Sequence, residues 1–144
     1  MKRYFLKRIF HDRRGDFAQF AFVVPILVLT SLGLINLALF GLAGVNANNA
    51  ANYGARMGSV AQENPMAYAS NAASSKLSAA SFGDYDITAS VVGSGRGSLI
   101  CLAVTYSVDN YFSGLARLFS TPGSSKTHDK FEKTVVAYFR HEGW

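Results

Sequence analysis

No charged side chain occurs between Phe17 and Ala55. The strongly apolar part of that run extends from Phe20 to Val45. As a helix that part would rise about 39 Å, more than the roughly 30 Å of a bilayer core. A secretory signal peptide has a shorter apolar region and a small-residue cleavage site behind it. Here "NANNAANYGARMGSV" follows with small residues and no break. The sequence therefore predicts a spanning helix that continues past the membrane surface.

The charge distribution gives an orientation. Residues 1 to 15 hold six basic side chains (Lys2, Arg3, Lys7, Arg8, Arg13, Arg14) and one acid, Asp12. The rest of the chain holds eight basic and eight acidic side chains, so the net charge of +5 is a property of the tip. A nucleic-acid binder spreads its basic residues over a folded face, so no nucleic-acid partner is expected. A basic flank before an apolar helix places the N-terminus in the cytoplasm and the bulk of the chain outside, periplasmic or at the cell surface. Pro25 is tolerated in such a helix and is expected to loosen it. Asn36 falls mid-membrane on this reading, where its amide bonds either a neighbouring helix or its own backbone.

Beyond the apolar run a small-residue face emerges. Ala47, Ala50, Ala51, Gly54, Met57, Gly58 and Ala61 recur at helical spacing, with Asn48, Asn52, Arg56, Ser59 and Glu63 on another face. Small residues let a second backbone come close. The partner is a helix of the same chain, the chain's own distal domain or a neighbouring subunit. Asn64-Pro65 ends this helix and starts another, with Asn64 as cap and Pro65 in the first turn. The second helix is predicted to run to about Ala80, with Gly83 as its stop.

The period then switches to two. "YDITASVV" and "SLICLAVTYSV" alternate around the turn "GSGRGS", which reads as a hairpin. "KFEKTVVAYFR" alternates again. The expectation is an antiparallel sheet of three to four strands, with the second strand central because its Ile100, Leu102, Val104, Tyr106, Val108 face is the most apolar. Between the second and third runs, Tyr111, Phe112, Leu115, Leu118 and Phe119 share one helical face. That segment either covers the sheet or meets a partner or the membrane surface. The fold class is thus α+β: residues 1–15 a basic leader, 16–64 a transmembrane and extended helix, 65–144 a small α+β domain.

Catalytic and cofactor chemistry find no pattern. "GSGRG" lacks the strand-to-helix context of a dinucleotide fingerprint and the lysine-serine end of a phosphate loop. His11, His128 and His141 are scattered, and no His/Cys/carboxylate group has metal-ligand spacing. Asp84 and Asp86 read as solvated carboxylates at a strand start. The single cysteine, Cys101, sits in a strand and cannot make an intrachain disulfide. The expected activity is non-enzymatic, with no cofactor.

The N-terminal half resembles a known family. A basic leader ends in glycine, "HDRRG". The helix opens with a polar residue before an aromatic and then a proline, "QFAFVVP". An alanine- and asparagine-rich continuation follows, "NAANYGARMGSVA", and a small β domain closes the chain. This resembles the TadE-like minor pilins, or pseudopilins, of the tight-adherence (Flp, type IVc) pilus systems. The resemblance spans 12 to 61 in sequence and is architectural from 62 to 144.

The resemblance implies a pilin-like protein of the bacterial inner membrane. A prepilin peptidase would cut it between Gly15 and Asp16, leaving a mature chain that begins at Asp16. It would then join other pilin or pseudopilin subunits through its helix. The residues matched at the helix start are Asp16, Gln19, Phe20 and Pro25. From their own spacing, Asn36, Ala47, Ala51, Gly54 and Gly58 are candidate helix-assembly positions, and Tyr111, Phe112, Leu115 and Phe119 are a candidate partner surface if they do not cover the sheet. The family usually has a glutamate before the aromatic, five positions after the glycine. Here Gln19 stands four positions after Gly15. Asp16 is the nearest acid, and either pairs with an N-terminal amine or belongs, with Arg13 and Arg14, to the flank of an uncleaved anchor. The alternative function is a single-pass, membrane-tethered binding module of the cell envelope.

Overall fold

The computed structural model describes residues 13–94, 97–111 and 129–142, with side chains from Phe20 onward. Among these residues two helices precede three strands: α1 Arg13–Val60, α2 Pro65–Leu77, β1 Asp84–Val92, β2 Leu99–Asp109 and β3 Lys130–Arg140. The chain divides into two compact units, residues 1–35 and 36–144. α1 crosses that division, and the second unit begins at Asn36.

In the first unit α1 is a bare apolar rod. Phe20, Phe22, Ile26 and Leu27 are all more than half exposed. Pro25 lies inside the helix without ending it. Thr30 Oγ1 donates to the carbonyl of Ile26 at 2.8 Å, the usual refuge of a hydroxyl that has no water.

The second unit is a three-stranded antiparallel sheet in the order β1-β2-β3, closed on one face by helix. Period-two patterning fixes the register, because a one-residue slip would turn the apolar set outward. Val104 pairs with Ile87 on one side and Val135 on the other. Ile100, Leu102 and Val104 are completely buried, and Tyr106 and Val108 nearly so. The central position of β2 and the burial of this face are as the alternation predicts.

β2 lies antiparallel along α1. A Cβ built on Gly58 would touch Ile100, one on Gly54 would touch Leu102, and one on Gly44 would touch Tyr106. At the lower end Asn36 meets Asn110. The helix from Asn36 to Gly58 and the strand from Ile100 to Asn110 each rise about 33 Å, so the elements keep pace.

α2 fills the corner between α1 and the sheet, burying Ala69, Ala73 and Leu77 at four-residue spacing. Lys76 Nζ sits 4.8 Å from the centre of the Tyr53 ring on α1. Asn64 does not cap with its side chain as expected. It adopts φ 47, ψ 57, a left-handed conformation that asparagine tolerates, and its carbonyl accepts from Tyr68 N at 3.1 Å. The chain reverses between α1 and α2 through this residue. α1 stops just before it at Val60, and α2 runs to Leu77, short of Ala80.

The C-terminal end of α1 is closed by the far end of the chain. Glu142 N donates to Ser59 O at 3.0 Å, and His141 Nε2 lies 3.1 Å from Ala61 O, where the ring N–H donates. Two carbonyls of the helix end thus find partners on the segment that leaves β3, almost the whole length of the domain away in sequence.

Candidate assembly and membrane-proximal surfaces

From Asn36 to Val60, α1 has two unlike faces. The small-residue face is consumed inside the chain. Ala43, Ala47, Ala50, Ala51 and Ala55 are fully buried. A Cβ on Gly54 would come within 2.6 Å of Ala69 O and 2.9 Å of Ala73 Cβ; one on Gly58 would come within 2.8 Å of both Ala69 Cβ and Pro65 O. Of the partners the sequence left open, the structure therefore fills this face with the chain's own α2 and sheet. Ala47, Ala51, Gly54 and Gly58 are fold positions, and a neighbouring subunit cannot reach them without unpacking the domain.

The other face is apolar and uncovered. Leu37 is 68 % exposed, Leu42 53 % and Val45 60 %. Ala38 and Gly41 lie exposed between them. A Cβ added at Gly41 would meet nothing within 4 Å. Above Val45 the same side becomes amide-rich, with Asn52 Nδ2 donating to the Asn48 carbonyl at 2.9 Å.

Asn36 packs against the distal domain. It is 4 % exposed and belongs to the second unit, with Nδ2 donating to Asn110 Oδ1 at 3.3 Å. Its own Oδ1 is buried without a hydrogen-bond partner among the described residues. The amide contacts the distal domain, neither a neighbouring helix nor its own backbone. That leaves the residues before it, Phe17 to Ile35, as the stretch free to cross a bilayer; they rise about 28 Å as a helix.

Around Asn36 the lower end of the domain carries exposed aromatic rings. Phe82 is 50 % exposed, Tyr111 56 % and Phe131 42 %. Phe131 is rooted edge-on against Phe40, 6.0 Å between centroids, and Phe40 also packs 5.2 Å from Tyr106. A shallow hollow of about 130 Å³ opens there between Leu39, Phe82, Asp84, Asp109 and Tyr111. Lys130 Nζ bonds Asp84 at 2.6 Å and reaches Asp109 at 4.0 Å. The Asp84 hydrogen bond, then its charge, raises the Lys130 pKa above the ordinary lysine value. Burial, then the nearby Tyr85, raises that of Tyr106. The neck of the following segment is closed by Asn110 N donating to Asp129 O at 2.8 Å. Sequence reasoning does not single out Phe82, which stands alone before Gly83, nor Phe131, which reads only as part of an alternating strand.

The sheet's outer face is polar near this end and more apolar at the other, where Val92, Leu99, Val136 and Tyr138 are all at least two-fifths exposed. Cys101 lies on that face, a free thiol of intermediate exposure. Among the described residues no three His, Cys, Asp or Glu side chains converge to hold a metal.

Gly15, Asp16 and Gln19 lie in α1. Phe20 stands exposed on the rod. Of the aromatic segment only Tyr111 is described; Phe112, Leu115, Leu118 and Phe119 lie outside the described residues.

Among the described residues one helix, Phe20–Val60 near the N-terminus, is long and apolar enough to cross a membrane. Among the described residues the chain is α+β, a long apolar helix and a small domain with a second helix and a three-stranded antiparallel sheet. No family model, curated protein or solved structure matches it.

Proposed function

We propose that this protein is a membrane-anchored structural subunit that assembles with other helices of its kind, in the manner of the TadE-like minor pilins it resembles. The observation that carries this reading is the division of α1 into two faces. One is filled by the chain's own domain. The other, Leu37, Ala38, Gly41, Leu42 and Val45, stays apolar and bare above the length that a bilayer needs. Water would not stabilise so continuous an apolar helix side, and Gly41 with Ala38 gives a second helix room to come close. The absence of charge between Phe17 and Ala55 lets like surfaces meet without repulsion.

In this reading the N-terminus is cytoplasmic, the domain is periplasmic or extracellular, and a prepilin peptidase cuts between Gly15 and Asp16. Mass spectrometry of the N-terminus in a peptidase-competent host tests the last point. A chain starting at Asp16 is expected; an intact Met1 would remove the processing step and leave the anchor. Loss of piliation on deletion of the gene tests the assembly role, and normal piliation would count against it.

A membrane-tethered binding module is the second reading, favoured by the exposed Val92, Leu99, Val136 and Tyr138 on the outer sheet face. It places function on the sheet and predicts that polar substitutions along Leu37 to Val45 leave ligand binding intact.

A further inference from the structure

We infer that the lower end of the distal domain is a second membrane contact, seated on the lipid headgroup surface from which α1 emerges. The inference rests on α1 being a membrane anchor and is independent of whether the protein joins a pilus.

The second unit starts at Asn36, and the bare apolar rod ends at Ile35. The helix before Asn36 has the length of a bilayer core, so residues near Asn36 stand at the height of the headgroups. The side chains gathered at that height are Leu39, Phe40, Phe82, Tyr111 and Phe131, joined through the Asn36–Asn110 bond, the Phe40–Phe131 ring contact and the shared hollow.

Three aromatic rings stand about half exposed at one end of a small domain, where a soluble surface would have polar groups. Aromatic side chains at this depth are what membrane interfaces collect, because a ring takes up the half-wet layer between lipid tails and water. The charges nearby fit the same layer. Lys130 is tied to Asp84 and within reach of Asp109, all three side chains more than half exposed. Such charges cannot enter hydrocarbon, so they set a floor: the domain rests on the headgroups and does not sink past them. Among these three described groups, two carboxylates stand against one ammonium, so they supply no attraction to anionic lipid. The contact depends on the rings, and it holds on a zwitterionic surface and at high salt.

The other end of the domain serves as the internal control. Val92 and Tyr138 lie toward the far end of the strands, where β2 approaches Gly58 of α1. Within the second unit that end lies about 30 Å farther along α1 from Asn36, so the proposed contact does not include it.

Full-length protein carrying Trp144→Phe is reconstituted into phosphatidylcholine vesicles whose acyl chains are brominated near the headgroup. Single tryptophans are placed by Phe82→Trp, Tyr111→Trp or Phe131→Trp at the lower end, Val92→Trp at the upper end and Phe22→Trp in the rod. Bromines quench only tryptophans that touch them. The expected result is strong quenching at 22, clear and salt-independent quenching at 82, 111 and 131, and none at 92. Three separate positions guard against one variant that fails to fold, and circular dichroism reports β content for each. Quenching at 22 with 82, 111 and 131 as dark to lipid as 92 would overturn the contact and leave the anchor. Absence of quenching at 22 as well would overturn both.

Discussion

Asn36 and Asn110 are 74 positions apart in sequence, and the Asn36 amide nitrogen donates to the Asn110 side-chain oxygen across 3.3 Å. The bond ties the start of the second unit to the neck of the β2–β3 connection. Replacing Asn36 by alanine removes a buried donor and is expected to cost about 1–2 kcal/mol in denaturant unfolding. Asn36→Asp is expected to cost more, since it sets a carboxylate against an oxygen in a buried place. A variant as stable as wild type would mean that the bond carries no energy.

The glycines of α1 are not equivalent. Gly54→Ala puts a methyl group against Ala69 O and Ala73 Cβ, neither of which can move without moving α2. The expected loss is about 1–3 kcal/mol. At Gly44 the obstacle is the Tyr106 ring, nearly buried and packed against Phe40, so Gly44→Ala is also expected to destabilise, by about 1 kcal/mol or more. Gly41→Ala meets nothing and is expected to stabilise the helix by up to about 1 kcal/mol. Thermal melts of the three variants should therefore differ in sign.

Two groups link stability to alkaline pH in the same direction. Tyr106 and Lys130 both have pKa values raised by the fold, the first by burial and the second by Asp84. A raised folded-state value means that the stabilisation is complete below the unfolded-state value. It is lost as pH rises through the folded-state value. The distal domain is therefore expected to hold its melting temperature up to about pH 10 and to lose it above. Tyr106→Phe removes one of the two causes and should flatten the loss; an unchanged alkaline slope in that variant would assign it elsewhere.

The end of α1 depends on the chain's tail. His141→Phe keeps the ring and removes the N–H that meets Ala61 O. Amide hydrogen exchange near Gly58 to Ala61 is expected to quicken by roughly a factor of five to ten, the effect of about 1 kcal/mol. Exchange as slow as in wild type would show that water serves Ala61 O equally well.

Much of the fold is legible because alternation and helical spacing are local signals. The run from Ile100 to Val108 announces a buried face and a central strand, and "KFEKTVVAYFR" coincides with β3 from Lys130 to Arg140. What covers a small-residue face is not local. Ala47, Ala51, Gly54 and Gly58 say only that something comes close, and the choice of Leu102, Ala69 and Ala73 over another subunit is made in three dimensions. The place of Asn36 escapes the sequence for a related reason. Hydropathy runs on to Val45 without a break, so nothing in the sequence marks where the domain first touches the helix. The aromatic end of the domain is hidden because Phe82, Tyr111 and Phe131 come from three separate stretches of chain.

The central claim is that the face of α1 turned away from its own domain meets another subunit. Disulfide trapping in the native host tests it most directly, with Cys101→Ser as background and cysteine placed by Leu42→Cys or Val45→Cys. Ser90→Cys on the outer sheet face is the exposed control. After mild oxidation, covalent adducts to a second subunit are expected at 42 and 45 and not at 90. No adduct at either helix position, or equal adducts at 90, would contradict the account.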